Sequence, residues 1–325
     1  MRPLFALAAL MAAGLAGFAG SAGAQDAYPS KQITFLSGFP PGGSVDVTAR
    51  ALAPAMQKIL GQPIVIQSKP GAAAAIGTQA VAIAPPDGYT LTLATTQISV
   101  LPAVDQVFGR KPSFTREDFV PIARISADPS IIWANAEQGW KSFKDMVDAA
   151  KAKDGQIVYA SGGLYGATHL PIEMMLRPLG LKMRHLPTAG GGPALTAVLG
   201  NNAALLASHP GVAGPQARAG KLVPLVNMGA ERHPEWKDVP TLKELGYNVE
   251  YYQWIGLFGQ AKLPEPIVKK LREAVAEAVK DPDFIAAMAK AGAGIAYQDQ
   301  PEFAAWWKND SDALEAAVKA IGKQE

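Results

Sequence analysis

Short apolar runs alternate along this chain with stretches in which apolar positions recur every three or four residues. That alternation predicts strands interleaved with helices. The run Ile33-Thr-Phe-Leu36 predicts a buried strand, and Val45, Ala49, Leu52, Ala53, Met56 and Ile59 predict the helix that follows it. Between them lies Gly38-Phe-Pro-Pro-Gly-Gly-Ser44. Pro40 and Pro41 stiffen this loop, Ser44 is placed to N-cap the helix, and Gly42 and Gly43 leave backbone N–H groups uncovered where the helix dipole is positive. A carboxylate or phosphate could be held there without a basic side chain. A second unit follows: strand Pro63–Gln67, a turn at Lys69-Pro70-Gly71 and an alanine-rich helix over 72–84. Pro85-Pro86-Asp87-Gly88 then turns the chain into the alternating strand Tyr89–Ala94. Three strands separated by helices imply a parallel sheet and an α/β fold class.

Residues 113–133 carry two apolar runs, Phe119–Ile125 and Ile131–Trp133, split by Asp128-Pro129. They predict a crossover. Beyond it, Ser142 is placed to cap a helix from Phe143 to Ala152 that Asp154-Gly155 stops. The opening pattern then returns twice. Strand Gln156–Ala160 leads through Ser161-Gly-Gly-Leu-Tyr-Gly-Ala-Thr168 into a helix from His169 to Leu179. Strand Met183–Leu186 leads through Pro187-Thr-Ala-Gly-Gly-Gly192 into a helix from Pro193 to Leu199. Loops of this kind lie at the carboxyl ends of parallel strands, where open α/β sheets bind ligands. Two sheets facing each other through such loops would form a clamshell. The rest predicts strands Lys221–Val226 and Trp254–Phe258, helices Val239–Gly246, Pro264–Val279 and Phe284–Ala291, and a helical end from Pro301 to Lys323 against the first domain. Trp306 and Trp307 read as packing residues.

At 325 residues the chain is long enough for two domains, and its 49% hydrophobic and 18% charged content is that of a globular protein. Its 30 Lys and Arg against 28 Asp and Glu leave +2, without the concentrated basic surface that nucleic acid requires. Residues 1–24 carry one charge, Arg2, then an apolar stretch and the small-residue site Ala22-Gly23-Ala24. This predicts a signal peptide cleaved near Ala24 and, in a Gram-negative host, a periplasmic protein. The chain has no cysteine, which excludes disulfides, thiolate metal sites and a cysteine nucleophile.

Catalytic constellations are not apparent. The four histidines, His169, His185, His209 and His233, fall in no strong metal spacing, although His169 and Glu173 stand one helical turn apart. There is no Gly-x-Ser-x-Gly, no P-loop and no complete Gly-x-Gly-x-x-Gly. Asp46 and Asp87 are explained by helix-start and turn roles. No metal, no cofactor and no enzyme activity are expected.

Taken together, Tyr28-Pro-Ser-Lys31, Phe39–Ser44 with Asp46 and Arg50, Gly61-Gln-Pro63, Pro70-Gly-Ala72, Pro86–Leu91, His169-Leu170, Gly192–Leu195, Gly220-Lys-Leu222, Val239–Leu242 and Trp254–Phe258 resemble the Bug (TctC-like) family of periplasmic substrate-binding proteins, over essentially the whole mature chain. The resemblance implies a two-domain binding protein of type II, with two crossovers and a ligand cleft between the domains. It implies residues 25–128 plus 254–325 as one domain and 129–253 as the other. The implied ligand is a small carboxylate: a di- or tricarboxylate, an amino acid or an aromatic acid. The implied partners are two integral membrane transporter subunits; a signalling component of the same fold is the alternative. Carried over residue by residue, the implied ligand-binding positions are Phe39, Pro40, Gly42, Gly43 and Ser44 in the first domain. In the second they are Ser161, Gly163, Tyr165, Thr168, His169, Thr188, Gly190 and Gly191. Tyr165-Gly166 stands where the family commonly has Gly-Ser, Ala189 where a lysine is frequent and Ala204 where an aspartate is frequent. These departures point to a less polar cleft and a longer aliphatic or aromatic carboxylate, with Tyr165 supplying a phenol.

Overall fold

The leader expected over residues 1–24 lies outside the residues that this computed structural model describes, 28–323. The first βα unit forms as expected, with β1 (Ile33–Ser37) running into α1 (Ser44–Leu60). The apolar stripe of α1 buries Val45, Ala49, Leu52, Ala53 and Met56. Each large member of such a stripe contributes about 1.5–3 kcal/mol. Ser44 is the first helical residue and does not cap the helix: Gly43 holds the N-cap position, and the Asp46 carboxylate instead reaches back to accept from the N–H of Gly42 at 3.1 Å. Asp46 also pairs with Arg50 at 2.9 Å.

The chain continues through β2 (Ile64–Ser68), α2 (Ala75–Ala82), β3 (Thr90–Ala94) and α3 (Gln97–Val107). The helix expected from residue 72 starts at Ala75, because Ala72, Ala73 and Ala74 all take positive φ in a tight turn. Long strand β4 (Phe119–Pro129) then hands over to β5 (Ile131–Asn135). Next come α4 (Phe143–Ala152), capped reciprocally by Ser142 and Asp145, then β6 (Val158–Ser161), α5 (Leu170–Leu179), β7 (Arg184–Pro187), α6 (Gly191–Leu199), β8 (Leu205–Ser208), α7 (Pro210–Arg218) and β9 (Leu222–Asn227). The segment 239–246, expected to be helical, forms turns. Thr241 and Glu244 cap each other, but the chain stays bound to Asn227 and makes no second turn of helix. Finally β10 (Tyr252–Gln260) leads to α8 (Glu265–Ala278), α9 (Pro282–Lys290), β11 (Gln298–Asp299) and α10 (Gln300–Ile321).

Two sheets result, in the orders β11-β4-β10-β3-β1-β2 and β7-β6-β8-β5-β9. Each contains three parallel strands, β3-β1-β2 in one and β8-β6-β7 in the other, continued by antiparallel partners. The glycine loops after β1 and β6 therefore leave the middle strand of equivalent triplets. The chain passes between the sheets at Ser130 and again before Tyr252, and these two passages are hydrogen-bonded to each other: the N–H of Ser130 donates to Tyr251 O at 3.1 Å. The protein thus has two α/β domains joined by a pair of crossing segments.

Helix α10 packs on β4 and α3, as expected for the first domain. It approaches β10 at Gly256, where a Cβ would meet the Phe303 ring at 2.5 Å. Its far end goes further. Leu314 and Val318, with Val100 and Val104 of α3, join the apolar core of the second domain. Trp307 is buried and donates to Ser99 Oγ, and Trp306 stacks against Phe303 under the guanidinium of Arg124. Both tryptophans are packing residues.

Asp310 on α10 accepts from Trp254 Nε1 at 2.9 Å. Burial pushes its carboxyl up to about 6 despite that bond and the nearby charge of Arg124. Because this value lies above that of the unfolded chain, the stability linked to Asp310 is full at low pH and is lost as pH rises through about 6. Asp310→Asn keeps an acceptor for Trp254. It is expected to melt a few degrees above the parent protein at about pH 7.5 and level with it near pH 4. Thermal melts at both values read the difference; an equal offset at both would assign the effect to packing.

Candidate functional site

Loops at the carboxyl ends of both parallel triplets meet at one narrow cavity of about 50 Å³. Its first-domain wall includes Phe39, Pro40, Gly43 and Ser44; its second-domain wall includes Thr168, Gly190 and Gly191. Gly42 lines an adjoining pocket beside Ser44 and Gly192. The lips touch. A Cβ added at Gly190 would stand 3.2 Å from Pro40 Cγ, and one at Gly163 would stand 3.2 Å from Ala73 Cβ in the opposite domain.

Five helices begin at this cavity. Helix α1 starts at Ser44, α6 at Gly191 and α7 just after His209, while Thr95 and Thr168 lie two residues before the starts of α3 and α5. An α-helix leaves its first N–H groups without intrahelical acceptors, and its N-terminus carries about half a positive charge. No Lys, Arg, Asp or Glu is among the residues lining the cavity. Peptide N–H groups, the hydroxyls of Ser44, Thr95, Thr168 and Ser208, and the side chains of His209 and Gln253 are therefore the polar groups around it. Not every N–H is available: Gly42 donates to Asp46, Gly162 to Thr168 Oγ1 at 2.7 Å, Leu170 at the start of α5 to Gly166 O and Gly211 at the start of α7 to His209 Nδ1, which leaves α1 and α6 as the open helix starts. Thr168 accepts in its bond with Gly162, which leaves its own proton for an acceptor in the cavity. Gly43 and Gly191 are different again: a Cβ at either would meet no protein atom within 4 Å.

Six of the residues expected to bind ligand lie outside this cavity: Gly42, in the adjoining pocket, and Ser161, Gly163, Tyr165, His169 and Thr188. Ser161 Oγ sits 2.7 Å from His185 Nε2, and Thr188 Oγ1 is 2.9 Å from the carbonyls of Ser161 and Gly190. Both brace the loops from behind. Gly163, at φ +123°, forms the lip against Ala73. His169 is buried, and its Nδ1 accepts from the N–H of Tyr165 at 3.1 Å, so it orients the loop. Its neighbour Glu173 accepts from Tyr159 at 2.5 Å. Burial pushes the His185 imidazole down to about 4, which keeps it neutral.

Tyr165 corrects the expectation of a cleft phenol. It is fully buried at φ +54°, packs edge-on against Phe108 and donates to Gly322 O at 2.5 Å beyond the end of α10. The loop folds its aromatic ring backward into the shared core, away from the cavity. Tyr165 therefore gives the cavity no phenol that would favour a longer or aromatic ligand.

Thr95, Ser208, His209 and Gln253 line the cavity and were missed. Thr95 follows β3 and Ser208 ends β8, so both obey the strand-end rule used for the other loops. The signal failed because β8 is only four residues long and α7, Pro-Gly-Val-Ala-Gly-Pro-Gln-Ala-Arg, has no helical apolar period.

Tyr165→Phe is expected to lower stability by about 1 kcal/mol through the lost bond to Gly322, and Tyr165→Ala by about 3–5 kcal/mol through the cavity it leaves. Chemical denaturation measures both. Full stability with lost ligand affinity would return Tyr165 to the site.

Residues 48–323 match the family model described as the tripartite tricarboxylate transporter family receptor. Protein BugT of Bordetella pertussis is 32% identical over 285 residues, covering 85% of each chain. A solved structure of a periplasmic transporter is 33% identical, with a TM-score of 0.85 over 90% of this chain and 98% of that one. MatC from Rhodopseudomonas palustris, solved with bound malate, is 27% identical, with a TM-score of 0.82 over 89% of this chain and 99% of that one.

Proposed function

This chain belongs to the tripartite tricarboxylate transporter receptor family, whose members are solute-binding proteins and not enzymes, and on that premise we propose that it captures a small carboxylate by domain closure and delivers it to a secondary transporter. The observation that carries this reading is the convergence of five helix starts on a cavity without charged side chains. A carboxylate bridging the two walls gains N–H and hydroxyl contacts from both domains only when they are together. It therefore stabilises the closed arrangement by its differential affinity. The malate held by MatC supports a di- or tricarboxylate as the ligand class. In this reading the closing bodies are residues 25–128 with 254–325 and residues 129–253. The protein works in the periplasm after cleavage near Ala24, and two integral membrane subunits recognise its closed form.

Thermal melts of the mature protein, refolded to strip carried-over ligand, test this against malate, other di- and tricarboxylates, amino acids, aromatic acids and phosphate. A ligand at a hundredfold excess over its Kd adds about 2.7 kcal/mol, several degrees for a protein of this size. A response confined to carboxylates is expected. Gly43→Val should abolish it while costing only about 1 kcal/mol of stability, the usual cost of a poor N-cap. A response to phosphate alone, or a Gly43→Val protein that still responds, would refute the reading.

A further inference from the structure

His209 and Asp128 come from opposite domains and meet beside the cavity. Asp128 lies in β4, one residue before the last of that strand, and His209 caps α7. His209 Nε2 is 2.7 Å from Asp128 Oδ2, and their side chains are only 2% and 7% exposed. The other ring nitrogen is committed, because Nδ1 accepts from the N–H of Gly211 at 3.0 Å. Nε2 is therefore the ring nitrogen left to face the carboxylate. Asp128 is committed too, since the N–H of Gly294 donates to its two oxygens at 3.2 and 3.0 Å. Around the pair, backbone meets backbone across the domain boundary: a Cβ on Gly211 would stand 2.2 Å from Ala291 O. His209 also lines the cavity, so the same residue touches the ligand space and the other domain.

The geometry assigns His209 and Asp128 as a cross-domain latch that holds the cleft shut, with His209 a positioning residue for the cavity wall. This deepens the capture-by-closure reading and rests on it. Separation of the domains removes Nε2 from a carboxylate that remains bound to Gly294, so this contact exists only in the closed arrangement. Charge-assisted bonds of this kind correspond to about a tenfold or larger change in an equilibrium. Loss of the latch should shift the closed-to-open ratio by that factor.

Because the chain has no cysteine, Lys290→Cys and Ala219→Cys introduce unique spin-label sites, one beyond each side of the Gly211–Ala291 contact. Pulsed dipolar distances are measured on the full mature chain without ligand, in the labelled parent, Asp128→Ala, His209→Asn and the double variant. His209→Asn keeps a side-chain acceptor at the cap and is the variant expected to fold like the parent; thermal melts check all four. The expected result is a short-distance population in the parent that is depleted about equally in both single variants and no further in the double variant. Unchanged distances in His209→Asn, additive effects in the double variant, or a parent without the short population would each overturn the latch. No ligand enters this measurement, so a failed carboxylate screen would refute the proposed function and leave the latch standing.

Discussion

An α-helix cannot satisfy its own first N–H groups, and the structure is arranged around that constraint. Five helices start around one place, and α1 and α6 turn this deficit toward it. In the first domain the strand and loop residues that precede α1 bring Gly43 and Ser44 to the cavity, and in the second the loops after β6, β7 and β8 bring Thr168, Gly191 and His209 to it. The interior apolar faces of the helices fix their directions, so core packing in each domain also aims the dipoles. The Asp46 carboxylate satisfies the loop N–H of Gly42 and thereby sets the shape of the first loop.

The second organising feature is the doubled triplet of parallel strands. Because β1 and β6 occupy equivalent middle positions, their loops present similar groups from opposite sides. The two crossing segments are tied to each other by the Ser130–Tyr251 bond. On the far side, α3 and α10 contribute Val100, Val104, Leu314 and Val318 to the core of the second domain. Tyr165 reaches from the loop after β6 to the end of α10, so that loop is held by both domains.

Much of this was legible in the sequence. The spacing of apolar residues placed α1, α4, α6 and α8, each of which buries one face, and a continuous apolar run placed the buried strand β1. The glycine loops showed where ligand groups would gather, since Gly43, Gly190 and Gly191 do line the cavity. Side-chain direction was not legible. Tyr165 takes a positive φ that sends its ring into the core, and no local pattern announces that choice. Elements made by tertiary contact were also hidden: β8 is four residues long, α7 is rich in Gly and Pro, and the one capped turn at Thr241 and Glu244 mimics a helix start without continuing.

A wall built from peptide groups and hydroxyls has a further consequence for the compartment in which such a protein works. Neither kind of group gains or loses a proton over the range of acidity that a bacterium's surroundings span. Capture of an anionic solute through these groups should then follow the ionisation of the solute itself. Acidity would select among solutes by their own charge, through peptide and hydroxyl donors that do not change.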